Sequence, residues 1–232
     1  MVYILLWIDP YGFERPEDFD YASYEEFFST YLVILTRRAI KWSKLLTGSS
    51  RVQKSMKVKR YIRKGVPFEH RARVWMGVSG AQAQMEQNPG YYHRLLQGEQ
   101  NDSLEEAIRT ELLGMNFIAG YLLLITKNEE ESFWLLDALI GRILPDYYSP
   151  AMLGLKTDQE VLGELVRMKM PAVADLLEGH GVLWTLVVSR WFICLFIDIL
   201  PVEKIFSEPG SLSMTTVTKL RERCRAKLLT QG

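Results

Sequence analysis

Cysteine and histidine are scarce in this chain. Its two cysteines, Cys194 in an apolar run and Cys224 in a charged one, make neither a disulfide framework nor a metal-ligand cluster, and a reducing, cytoplasmic setting fits them. The three histidines, His70, His93 and His180, lack the spacing of a metal motif. A charge of one sign is missing too. With 28 basic against 28 acidic residues there is no global pull toward nucleic acid or anionic lipid, and only local asymmetry is left. No P-loop, dinucleotide fingerprint or nucleophile elbow occurs. No metal, no cofactor and no nucleic-acid partner are therefore expected.

Uninterrupted hydrophobic runs of membrane-spanning length are also lacking. Residues 2–8 are apolar, but they have no basic leader and no small-residue cleavage site, and Asp9-Pro10 stops them. Residues 182–200 have nearly the required length, yet Arg190 sits near the centre and Asp198 near the end. A central Arg costs about 2.5–3.5 kcal/mol on insertion scales, so a buried core helix followed by a second apolar segment, with Pro201 closing the run, is the expected form.

What is present reads as helix. The 232 residues are 48% hydrophobic, enough for one or two domains with a sizeable core, and from Val66 onward helix-length apolar patterns dominate over alternating β-branched runs. Residues 24–46 carry Tyr24, Phe28, Tyr31, Leu35, Trp42 and Leu46 at helical spacing, with Ser23 and Glu26 as an expected capping box. Gly48-Ser49-Ser50 ends that helix. Arg51, Lys54, Lys57, Lys59, Arg60, Arg63 and Lys64 follow with no acid among them, a run that is either a solvated basic segment or a contact for acidic lipid or an acidic protein face. Asn88-Pro89-Gly90 is a turn, Pro145 and Pro150 bracket a loop, and further capping boxes are expected at Ser103 with Glu106 and at Thr157 with Glu160. In residues 215–229, Val217, Leu220, Cys224 and Leu228 form one stripe ringed by charge, an amphipathic helix expected to dock only loosely, with anionic membrane as the alternative to the core.

Three stretches carry a specific resemblance. Lys64-Gly65-Val66-Pro67 with Arg71-Ala72-Arg73-Val74-Trp75, then Ile108 through Gly114-Met115-Asn116-Phe117, then Ser189-Arg190-Trp191-Phe192-Ile193-Cys194-Leu195-Phe196, together resemble the TBC-domain family of Rab GTPase-activating proteins. The resemblance implies an all-α, multi-helix domain, incomplete relative to the family, with residues 1–63 as an N-terminal helix and basic linker, 64–203 as the shortened domain and 204–232 as the tail. It also implies a Rab-type small GTPase as partner and a role in membrane traffic, while the basic run and the tail leave a peripheral membrane contact open. Such a protein is not itself an enzyme; it acts on hydrolysis by its partner.

In that family Ile-x-x-Asp-x-x-Arg supplies an arginine finger and Tyr-x-Gln-Gly-Met-Asn a glutamine that orients water. Here Glu111 stands where Asp is expected, Gly114 falls in the arginine position and Leu113 in the glutamine position. Arg109 is out of register and reads as a solvated helix-face residue. No catalytic residue is assigned, and the partner-binding residues stay unknown. Arg71 and Arg73 either contact a GTPase or stabilise the first helices, while Cys194, Trp75 and Trp191 read as core. Loss of the segments at Leu113-Gly114 and Glu203-Lys204 is expected to bare Phe117, Leu122, Trp191 and Phe196.

Overall fold

Apolar side chains recurring every three or four residues draw Tyr21–Leu46 into a long helix, α1, which buries Tyr31, Trp42 and Leu46 on one stripe. The structure, a computed structural model, describes residues 20–49, 51–98, 115–197 and 214–230. Among these every regular element is helical, as the patterning predicts. The cap of α1 differs from the expected Ser23 box. Asp20 is the N-cap, its carboxylate accepting the Ser23 N–H at 3.0 Å, so Ser23 lies inside the first turn. An aspartate serves as well there because its charge also meets the positive end of the helix. The Ser23 hydrogen bonds hold its carboxyl below the usual carboxylate range.

Helix α2, Met56–Arg63, is capped by Ser55 and turns Val58 inward. A 3-10 turn, Phe68–His70, leads into α3, Arg71–Ser79, and Gly80 at φ 85° ends α3 and starts α4, Ala81–Gln87. Only glycine takes that left-handed geometry without strain. Gly77 is constrained differently: a Cβ there would meet the Val52 carbonyl oxygen at 2.8 Å, so α3 lies directly against the loop after α1. The Asn88-Pro89-Gly90 turn stands as expected before α5, Tyr91–Leu96.

Helices α6, Met115–Thr126, and α7, Glu129–Ala138, form a hairpin; Asn128 caps α7, and Leu139–Ile143 add one π turn. After the Pro145–Pro150 loop come α8, Leu153–Lys169, α9, Pro171–Gly179, and α10, Trp184–Ile193. Helix α11, Met214–Thr230, returns onto α8. The expected cap at Thr157 is corrected. Thr157 lies fully buried inside α8 and its hydroxyl donates back to the Leu153 carbonyl at 2.6 Å, because the helix already begins four residues earlier. The expected box at Ser103 and Glu106 lies outside the described residues.

Three apolar clusters hold these helices. Trp42, Leu46, Val52, Val58, Val66 and Val74 join α1, α2 and α3; Met76, Ala81, Ile118, Leu122, Trp134, Leu135 and Ala138 join α3, α4, α6 and α7; Val161, Leu220 and Cys224 join α8 to α11. Trp75 packs against the first two and bridges them, as a packing anchor should.

The bared surface is not quite the one expected. Leu122 is buried against α7, and Trp191 and Phe196 are half-buried, while Phe117 is exposed as anticipated. The expectation of a buried helix in residues 182–200 is corrected. Within α10 Val188 is buried, but Leu186 is 73% exposed and Leu183, Val187 and the preceding Val182 are also exposed. Leu176 and Val173 of α9 add to the same apolar area. No single described helix is long and apolar enough to cross a membrane, and α9 and α10 meet at a 116° bend. An apolar surface of this kind recruits hydrophobic dyes. The native protein is expected to enhance 1,8-ANS fluorescence, and replacing Leu183 and Leu186 by Ser is expected to lower that signal with unchanged helicity by circular dichroism; an unaltered signal contradicts the assignment.

Candidate partner-binding surface

The segment from Lys64 to Trp75 is assembled around buried polar groups. The Trp42 indole N–H donates to the Gly65 carbonyl at 3.0 Å, and Gly65 itself has φ 102°. Arg71 is 5% exposed; its Nε donates to the Val66 carbonyl at 3.1 Å, its terminal nitrogen to the Tyr121 hydroxyl on α6 at 2.7 Å, and its guanidinium lies over the Phe68 ring at 5.7 Å. Arg73 donates to the Leu46 carbonyl at 3.3 Å and to that of Ser49. It thus satisfies carbonyls at the C-terminal end of α1, where a cation also meets the negative end of the helix. Of the two readings open for these arginines, both side chains serve the one that ties the first helices together. A groove of about 270 Å³ runs beside them between α1 and the 65–69 loop, lined by Tyr31, Leu35, Arg38, Pro67, Phe68 and Glu69.

The late aromatic motif is also structural. Trp191 lies 6.5 Å from both Trp184 and Phe196, and α10 stops because Leu195 and Phe196 take positive φ values of 51° and 62°. Tyr148 donates to the Ile193 carbonyl at 3.0 Å, pinning the Pro145–Pro150 loop to that helix end. Cys194 is buried, as expected of a core thiol. Burial pushes the Cys224 thiol up, so neither cysteine has the electropositive, accessible setting that a reactive thiolate needs. Among the described residues no group of three His, Cys, Asp or Glu side chains could hold a metal ion.

The expected tail helix exists but is held more firmly than expected. Leu220 and Cys224 are buried on Val161, and Arg221, Arg223 and Arg225 reach Asp158, Glu164 and Asp146 at 2.6, 2.9 and 2.5 Å. Each exposed pair contributes little alone, but three in register with an apolar stripe define one docked pose. Charge along the tail had marked it as a solvated or lipid-facing ring, and the acidic partners, some sixty to eighty positions earlier in sequence, carried no local signal. Tyr121 was missed for the same reason. Leu113, Gly114 and Arg109 lie outside the described residues, but Met115 and Asn116 open α6, whose Tyr121 is the residue that Arg71 holds.

The sequence signature of the Rab-GTPase-TBC domain matches residues 110–207. Growth hormone-regulated TBC protein 1 of Mus musculus is 54% identical over 343 residues, covering 97% of this chain and 96% of the relative. The chain belongs to the Rab-GTPase TBC-domain family. The Homo sapiens protein of the same name is 56% identical over 326 residues, covering 97% of each, and Growth hormone-regulated TBC protein 6 of Caenorhabditis elegans is 29% identical over 239 residues, covering 85% of this chain and 68% of the relative. The two longer alignments exceed the 232 residues of this chain, so internal segments of those TBC proteins have no counterpart here. No solved structure matches the chain.

Two tests follow from this geometry. Replacing Arg71 by Met is expected to lower the unfolding free energy in urea by about 2–3 kcal/mol, since hydrogen bonds to a charged group are lost and acceptors are left buried, whereas Tyr121→Phe costs about 1 kcal/mol; a loss below about 0.5 kcal/mol for Arg71→Met contradicts the structural role. The second test is alkaline. Burial, then the Asp158 carboxylate, raises the Tyr147 hydroxyl above its usual range, and burial raises that of Tyr148. The unfolded phenols ionise near 10.0 while the folded ones keep their protons, so their contribution is complete below that pH and is lost as pH rises beyond it. Tyr147→Phe with Tyr148→Phe is expected to flatten the fall in stability between about pH 10 and 11 relative to the parent, read by urea denaturation.

Proposed function

We propose that this chain engages a Rab-type small GTPase as other TBC proteins do but no longer accelerates its hydrolysis, acting as a non-catalytic Rab-binding regulator at the cytoplasmic face of trafficking membranes. The observation that carries this reading is the junction Leu113-Gly114-Met115-Asn116, where Gly114 occupies the position of the family's arginine finger and Leu113 that of its glutamine. Hydrolysis builds negative charge around the transferred phosphoryl group, and an inserted guanidinium stabilises that charge while an amide aligns the water. An arginine finger is worth about 10³–10⁵ in rate, or roughly 4–7 kcal/mol of barrier. Glycine and leucine supply neither a cation nor an amide side chain. The relatives' extra internal residues support the same reading, because a segment missing at this junction would take with it the backbone that aims both fingers.

The test is single-turnover GTP hydrolysis across a panel of Rab proteins, paired with a binding measurement on the GTP-loaded forms. Binding by at least one Rab with hydrolysis within a few-fold of its intrinsic rate is the expected result. A hundredfold acceleration of any Rab overturns the loss of activation, and absence of binding across the panel overturns the Rab-binding role. Restoring one finger, by Gly114→Arg, is expected to recover less than tenfold, since a finger without its supporting backbone is misaimed.

A further inference from the structure

Between Glu26 and Glu69 the chain has no acidic residue and eleven basic ones, a segment three times as long as the basic run from Arg51 to Lys64. Because the whole chain is neutral, the remainder of the sequence carries a matching acidic excess. Among the described residues three of the eleven are engaged, Arg38 with the Tyr31 hydroxyl at 2.5 Å, Arg51 with Glu86 at 2.6 Å and Lys57 over the Tyr61 ring at 5.9 Å. The tail arginines, the other concentration of positive charge, are committed to Asp158, Glu164 and Asp146.

Helix α2 organises this charge. Val58, Tyr61 and Ile62 point into the first core, with Tyr61 edge-on to Trp42 at 5.7 Å, which turns Met56, Lys59, Arg60 and Arg63 outward at helical spacing. None of those three cations has a described carboxylate within salt-bridge distance, and Met56 is 81% exposed among them. The exposed face of α1 repeats the pattern, Val33 and Ile40 alternating with Arg37, Lys41 and Lys44 at successive turns. Cations interleaved with protruding apolar side chains on a shallow surface match a planar array of negative headgroups over hydrocarbon. A nucleic acid would call for exposed stacking rings, and here Tyr61 faces Trp42. A protein partner would call for an enclosed pocket with an aromatic anchor, and the hollow here is open and lined by Met56, Lys57, Lys59, Arg60 and Arg63 without an aromatic among them.

We propose that the outward face of α2 is a docking surface for anionic membrane, which seats the protein by Lys59, Arg60 and Arg63 with Met56 entering the headgroup layer. Each cation near such a surface changes partitioning about fivefold, so the three together are worth on the order of a hundredfold.

The full chain is tested by co-sedimentation with phosphatidylcholine vesicles, with and without one-third phosphatidylserine, in the absence of any GTPase. The expected results are binding to the phosphatidylserine vesicles alone, release at high salt as the Debye length shrinks, a loss on the order of a hundredfold in Lys59→Gln/Arg60→Gln/Arg63→Gln, and a few-fold loss in Met56→Ser. Circular dichroism of both variants is expected to match the parent, since all four positions are exposed. Equal binding to both vesicle types, or undiminished binding by the triple variant, overturns the proposal. So does a triple variant that loses binding to a GTP-loaded Rab while no form of the protein binds vesicles, which assigns the face to an acidic protein instead.

Discussion

A guanidinium withdrawn from water must be surrounded by acceptors, and the placement of Arg71 at 5% exposure imposes that demand on everything near it. Its Nε takes the Val66 carbonyl, which fixes the path of the loop after α2; its terminal nitrogen takes the Tyr121 hydroxyl, which fixes α6 against α3. Trp42 adds a second bond from α1 to the Gly65 carbonyl of the same loop. The N-terminal helix, the glycine-containing loop and the helix that follows the junction are thus joined through one buried polar node. Apolar packing through Trp75 on both sides of it supplies the bulk of the cohesion.

Away from that node the packing thins. Val188 is fully buried in α10, but Leu183 and Leu186 on the same helix face outward, and α9 leaves Leu176 outside. Helices whose apolar residues point in several directions are those built to be covered on several sides. The relatives align over lengths that exceed this chain. The motif arginines Arg71 and Arg73, the aromatic Trp191 and the pinned Tyr148 are engaged in holding helices.

Charge is distributed with a similar division. In the tail, cations are neutralised by acids of α8 and its preceding loop and serve docking. On α1 and α2, cations face solvent without such partners among the described residues, and Met56, Val33 and Ile40 stand exposed on the same helices. Identical composition therefore has opposite consequences at the two ends of the chain, and only the location of the acids decides which.

Helical class, the N-terminal helix through Leu46, the Asn88-Pro89-Gly90 turn, the tail helix and family membership could be read from residues alone, because each rests on local periodicity, backbone preference or a contiguous motif. Helix starts were less secure: Asp20 rather than Ser23 caps α1, and Thr157 is internal to α8, because several polar residues near an end can each satisfy the cap and packing chooses among them. The bond from Arg71 to Tyr121, the pairing of Arg221 with Asp158 and the exposure of Leu186 were invisible in sequence. Each depends on which surfaces meet across fifty or more positions, or on a surface that nothing meets, and such long-range contacts have no periodic trace in the chain that makes them.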